Sequence, residues 1–177
     1  PYIPGFTFLF YFDAPVLAMQ WNSLRTPPDE FMSLSERPGH LRLRLRSQRL
    51  AEQTNPSFVG RRQKHIHFTT QVKFEFTTQN EHECACLALV QNNAFHFLFV
   101  VTKEVEPVVQ LIKRTDGVDE TLSERPVGPE ELYLKVEAHE QAYSFYFAIQ
   151  PDEWRVIAKD VDGRILSTPV AGGFVGA

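Results

Sequence analysis

From Asn55 to Phe76 the chain reads NPSFVGRRQKHIHFTTQVKFEF, with Phe58, Ile66, Phe68, Val72, Phe74 and Phe76 at even positions. Arg61, Gln63, His65, His67, Gln71 and Lys73 fill the odd ones. A period of two is the signature of an extended strand with one dry face and one polar face. The pattern predicts one long strand whose polar face is either ordinary solvated sheet or a recognition surface. The same period marks Leu41, Leu43 and Leu45 between Arg42, Arg44 and Arg46, which reads as a half-buried strand with its arginines outward. Phe6–Phe12, FTFLFYF, is apolar throughout and reads as a buried strand.

Further strands follow over 84–90, 94–101, 108–113, 132–137, 143–149, 154–161 and 165–170, separated by turn residues. Gln91-Asn92-Asn93 predicts a tight hairpin in which asparagine takes the left-handed conformation, and Thr115-Asp116-Gly117 predicts another. The repeat of Leu34-Ser-Glu-Arg-Pro38 at Leu122–Pro126 reads as two similar strand-end turns. No segment carries a helical period. About ten short strands joined by turns imply an all-β fold, a two-sheet antiparallel β-sandwich of the jelly-roll kind.

Composition agrees with this picture: fifteen Phe against two Met favour strands over helices. A net charge of −4 and a pI near 5.9 argue against a nucleic-acid partner, because no domain-wide basic field is present to release counterions. No apolar run reaches the length of about eighteen residues that a membrane-spanning helix needs, so no membrane partner is expected. Cys84 and Cys86 stand one residue apart on one strand face, about 7 Å from each other and too far for a disulfide. They read as reduced, semi-buried thiols. With no leader visible, the compartment is left open, with cytoplasm favoured over secretion.

Catalytic motifs do not emerge. Acids gather in loops, as at Asp29–Glu30 and Glu81–Glu83, and no nucleophile–base pattern or phosphate-binding loop is present. His65 and His67 share a strand face but lack a third ligand nearby in sequence, so no metal and no other cofactor is assigned. Arg61, Gln63 and His65 together offer donors suited to sugar hydroxyls or to a polar interface. Trp21, Tyr143, Tyr146 and Trp154 could each stack on a sugar or fill the core.

Several segments, in order, resemble one family: Leu17-Ala-Met-Gln-Trp21-Asn-Ser-Leu-Arg25, Leu34-Ser-Glu-Arg-Pro-Gly-His-Leu-Arg-Leu43, Ser57-Phe-Val-Gly-Arg-Arg-Gln63, Gln91-Asn-Asn93, Asp162-Gly-Arg164 and Ala171-Gly-Gly-Phe174. They are similar to the C-terminal β-sandwich of glycoside hydrolase family 43 β-xylosidases. The resemblance implies a concanavalin A-like, non-catalytic domain, one piece (residues 1–177) of a longer chain. Its implied partners are a five-bladed catalytic propeller and a xylo-oligosaccharide or arabinoside substrate. It further implies that Phe174, placed by Gly173, reaches the propeller's sugar pocket, with Arg61, Gln63 and His65 as candidate interface or sugar-binding residues. An independent carbohydrate-binding module is the alternative, and a homo-oligomer is left open.

Overall fold

The computed structural model describes residues 12–128 and 131–173 of the chain, which divides into two compact units, Pro1–Lys64 and His65–Ala177. The strand expected over Phe6–Phe12 lies outside the described residues apart from Phe12, which bridges to Gly39.

The first unit holds four two-residue strands, β1 (Asn22–Ser23), β2 (Met32–Ser33), β3 (Arg42–Leu43) and β4 (Val59–Gly60). β1 pairs with β4 and β2 with β3, both antiparallel. The expected Arg/Leu strand therefore shrinks to two residues, and its burial is partly reversed. Leu43 and Leu45 are exposed at 37% and 48%, whereas Arg46 turns inward. The reason is local chemistry. The Arg46 guanidinium lies 4.5 Å over the Phe31 ring and donates to the Ser57 hydroxyl at 3.1 Å and to the Asn55 carbonyl, so protein groups take up part of its donor capacity.

Eight longer strands build the second unit: β5 (His67–Phe74), β6 (Cys84–Asn92), β7 (Phe95–Lys103), β8 (Pro107–Thr115), β9 (Val118–Pro126), β10 (Leu132–His139), β11 (Ala142–Ala148) and β12 (Arg155–Asp162). They form two antiparallel four-stranded sheets, ordered β12-β11-β10-β5 and β6-β7-β8-β9. Alternation decides what lies between them. Phe97, Phe99 and Val101 of β7 and Val109 and Leu111 of β8 are buried, as are Leu134, Val136 and Ala138 of β10 and Tyr143, Phe145 and Phe147 of β11. Rings from one sheet meet rings from the other: Phe145 sits 5.6 Å from Phe97 and edge-on to Phe99 at 5.7 Å. This is the sandwich that the strand pattern predicts, and it accounts for the phenylalanine-rich composition.

Several expectations need correction. The long strand over Asn55–Phe76 is interrupted, since residues 61–66 belong to no strand and Ile66 is 61% exposed. Phe68, Val72, Phe74 and Phe76 do pack against the core, while Phe58 lies in the other unit. The β6–β7 hairpin uses no left-handed asparagine. Instead, the Asn92 side-chain oxygen accepts the N–H groups of Ala94 at 2.9 Å and Phe95 at 3.0 Å, so a side chain shapes the turn. At the β8–β9 hairpin the expected geometry holds, with Asp116 at φ 50° and Gly117 at φ 80°. Leu122–Pro126 runs inside β9, whereas Leu34–Pro38 is an irregular bend, so the repeated LSERP has two structures. Cys84 and Cys86 are exposed rather than semi-buried, because they occupy the outward positions of β6 while Leu87 and Leu89 face the core.

Candidate functional site

The last strand expected, over 165–170, is instead a pair of short helical turns: a 3-10 turn, Gly163–Leu166, and α1 (Thr168–Ala171). Their sequence explains them. The Asp162 carboxylate caps the first turn by accepting the Arg164 N–H at 3.0 Å, and its two oxygens take a fork from the Arg164 guanidinium at 2.6–2.9 Å. The fork and the cap hold the Asp162 carboxyl down to about 2. Ile165 is buried in the core, so the turn is anchored on the sandwich. Pro169 then sits at the start of α1, where its missing N–H costs nothing.

α1 stops at Gly172, whose backbone (φ 68°, ψ −171°) is a conformation open in practice to glycine, and Gly173 follows at φ 88°. A Cβ at either glycine would meet no atom within 4 Å. The Asn92 amide donates to the Ala171 carbonyl at 3.4 Å, tying this turn to the β6–β7 hairpin. Gly172 and Gly173 thus follow α1 as exposed backbone immediately before Phe174 in the sequence, with room for a side chain that neither carries. Phe174 itself lies outside the described residues.

Arg61, Gln63 and His65 are exposed but do not share a strand face, because their segment has no regular structure. Arg61 and Gln63 fall in the first unit and His65 in the second. His67, at the start of β5, meets a different histidine, its cross-strand neighbour His139, with ring centroids 5.6 Å apart. Among the described residues no group of three or more His, Cys, Asp or Glu is placed to hold a metal ion.

The four aromatics singled out in the sequence separate cleanly. Tyr143 is buried in the core and Trp21 packs 5.5 Å from Phe12. Tyr146 and Trp154 come together on the outer face of the β12-β11-β10-β5 sheet, around a lysine that sequence reasoning passed over. The Lys135 ammonium lies 4.4 Å from the Tyr146 ring centroid and 4.6 Å from that of Trp154, and it bonds the Glu137 carboxylate at 2.8 Å. The Lys135 hydrogen bond holds the Glu137 carboxyl below its usual range against the opposing effect of burial. Burial, then the hydrogen bond to Glu137, pushes the Tyr146 hydroxyl up. Tyr133, Lys135 and Glu137 were legible as the polar side of one strand. The cross-strand register that sets Tyr146 opposite Lys135 was not.

Elsewhere, the Gln110 amide donates to the Glu104 and Glu124 carboxylates at 3.0 and 2.6 Å.

Comparison with known proteins points one way. Residues 10–177 match the family described as the beta xylosidase C-terminal concanavalin A-like domain. A non-reducing end alpha-L-arabinofuranosidase of Bacteroides ovatus is 32% identical over 168 residues, covering 93% of this chain and 31% of that protein. A xylosidase/arabinosidase of Butyrivibrio fibrisolvens is 30% identical over 172 residues, covering 93% and 32%. The crystal structure of a xylan beta-1,4-xylosidase from Bacillus halodurans superposes with a TM-score of 0.82 at 30% identity, covering 94% of this chain and 33% of that one. The chain thus spans about a third of the length of the curated relatives it matches.

Proposed function

The chain belongs to the family of beta-xylosidase C-terminal concanavalin A-like domains, and from that premise we propose that it is the accessory sandwich of a xylan-degrading glycoside hydrolase, docking on a catalytic propeller and helping to close its substrate pocket. The observation that carries this reading is the stalk over 163–173. It is capped at Asp162, anchored by Ile165 and tied to Asn92, and it ends in two exposed glycines. Rigidity of this kind serves a tip that must reach a fixed place on another surface. In the proposal Phe174 supplies an apolar wall to the sugar pocket, Gly173 gives it the backbone to get there, and Arg61, Gln63 and His65 contribute polar contacts to the docking surface.

By itself the chain is a non-catalytic part. Incubated with nitrophenyl xyloside or arabinofuranoside, it should release no nitrophenol. In the enzyme that carries it, Phe174→Ala should lower kcat/KM by roughly 10- to 100-fold, the range expected for losing one buried aromatic contact. Unchanged turnover in that variant would remove the pocket role, and saturable turnover by the isolated chain would remove the accessory one.

A further inference from the structure

We propose that the outer face of the β12-β11-β10-β5 sheet is a glycan-binding platform in its own right, centred on Tyr146 and Trp154 and separate from the Gly172–Gly173 tip. The strand register lays Gln71, Lys135, Tyr146 and Val156 side by side across the four strands. Trp154 joins this row from the turn that leads into β12. Cross-strand neighbours are separated by roughly 4.8 Å, close to the length of one pyranose in an extended chain. A glycan lying across the strands would therefore set about one sugar over each.

The chemistry of the row fits a neutral, two-sided ligand. Lys135 sits over one face of each ring, while Tyr146 and Trp154 stay only half-buried and Val156 is 43% exposed. These surfaces suit the apolar C–H face of a sugar. Polar groups flank them: the Gln71 amide in the same row, Glu137 with its side chain 32% exposed, and Tyr133 one row away. They can exchange hydrogen bonds with hydroxyl groups at the sugar's edge. The one full positive charge in the row is already matched, because Lys135 is 13% exposed and bonded to Glu137. A charged ligand, an acidic peptide for example, would find no unmatched cation in this cage, whereas an uncharged polyol meets stacking surface and hydrogen-bonding groups together.

The inference does not depend on the docking role proposed above, which supplies only the choice of first probe. The 177-residue chain, without a propeller, is titrated calorimetrically with xylohexaose and with cellohexaose. Saturable binding of xylohexaose is expected. Trp154→Ala and Tyr146→Ala should each weaken it by at least about tenfold, while Trp21→Ala leaves it unchanged. Trp154→Phe, which keeps a ring in place, should retain most of the affinity and guards against an alanine variant that misfolds. Binding of cellohexaose alone, lost with Trp154→Ala, would uphold the platform and count against the xylan reading. Absence of heat with both glycans, or affinity that survives removal of both rings, would overturn the platform.

Discussion

At the scale of single residues, two positions carry the sandwich in ways that composition hides. Gly163 is buried, and its N–H donates to the Gln141 carbonyl at 2.7 Å. A Cβ placed there would fall among the Cδ2 and Cε2 atoms of the Tyr143 ring, itself a core group, and 3.1 Å from Gln141 O. Gly163→Ala should therefore destabilise the chain by about 1–3 kcal/mol, read from urea unfolding midpoints, because the ring has no free space to retreat into. His96 is the second. Its side chain is fully buried, Nδ1 lies 3.1 Å from the Asn92 carbonyl, and burial pushes its imidazole below the ordinary value of 6.5. Arg114, its neighbour across the strands, pushes the same way and Asp119 opposes it. As pH falls through 6.5 the unfolded chain takes up a proton that the folded chain resists. Stability is thus fully present above that value and declines below it. A melting temperature that falls between pH 7.5 and 5.5, with a shallower fall in His96→Leu, is the expected result. Neither role is readable from sequence, where Gly163 looks like a turn glycine and His96 like any strand histidine.

Elements show where a pattern suffices and where it misleads. Strands over 67–74, 84–115 and 132–162 were largely legible, because alternation is enforced whenever one face is buried against a second sheet, whereas β9, whose VDETLSERP is mostly exposed and does not alternate, was read as a turn. Alternation with no partner strand means less. HLRLRLR alternates as regularly as β10, yet it pairs for only two residues and turns an arginine inward, where Phe31, Ser57 and the Asn55 carbonyl meet the guanidinium. The segment over 165–170 misled differently. Its β-branched residues suggested a strand, but Asp162 and Pro169 are start signals for helical turns and prevailed over propensity. Asp162 makes a testable element-scale claim. With its carboxyl depressed to about 2 by Arg164, its contribution to the stalk is present above the unfolded value near 3.8 and is lost as pH falls toward 2. Asp162→Asn should flatten the acid limb of a pH-dependent unfolding curve relative to the parent chain. An unchanged limb would mean that the fork to Arg164 does not steady the turn.

For the molecule as a whole, the division at Lys64/His65 separates, among the described residues, two very different amounts of core. All of the buried cluster belongs to the second unit, from Phe97 to Ile165, with β5 contributing its first packed side chain at Phe68. Among the described residues of the first unit, Phe31 and Pro56 are the buried apolar side chains, and its ladders are two residues long. Ordering a residue costs about 1–2 kcal/mol of backbone entropy, which the described residues 12–64, with so little buried apolar surface, cannot offset alone. The two sheets, by contrast, hold a complete interior in just over a hundred residues, enough for independent stability. A fragment covering 65–177 should accordingly unfold in one cooperative urea transition, with a slope of roughly 1–2 kcal/mol/M. A fragment covering 12–64 should give the circular dichroism of an unordered chain. The reading fails if the larger fragment melts without cooperativity and binds a hydrophobic dye like a molten globule, because the buried cluster would then need the first 64 residues to specify its packing. If it folds, the Tyr146–Trp154 platform and the Gly172–Gly173 stalk both reside on an autonomous scaffold, and the glycan titration can be repeated on it with the first unit removed.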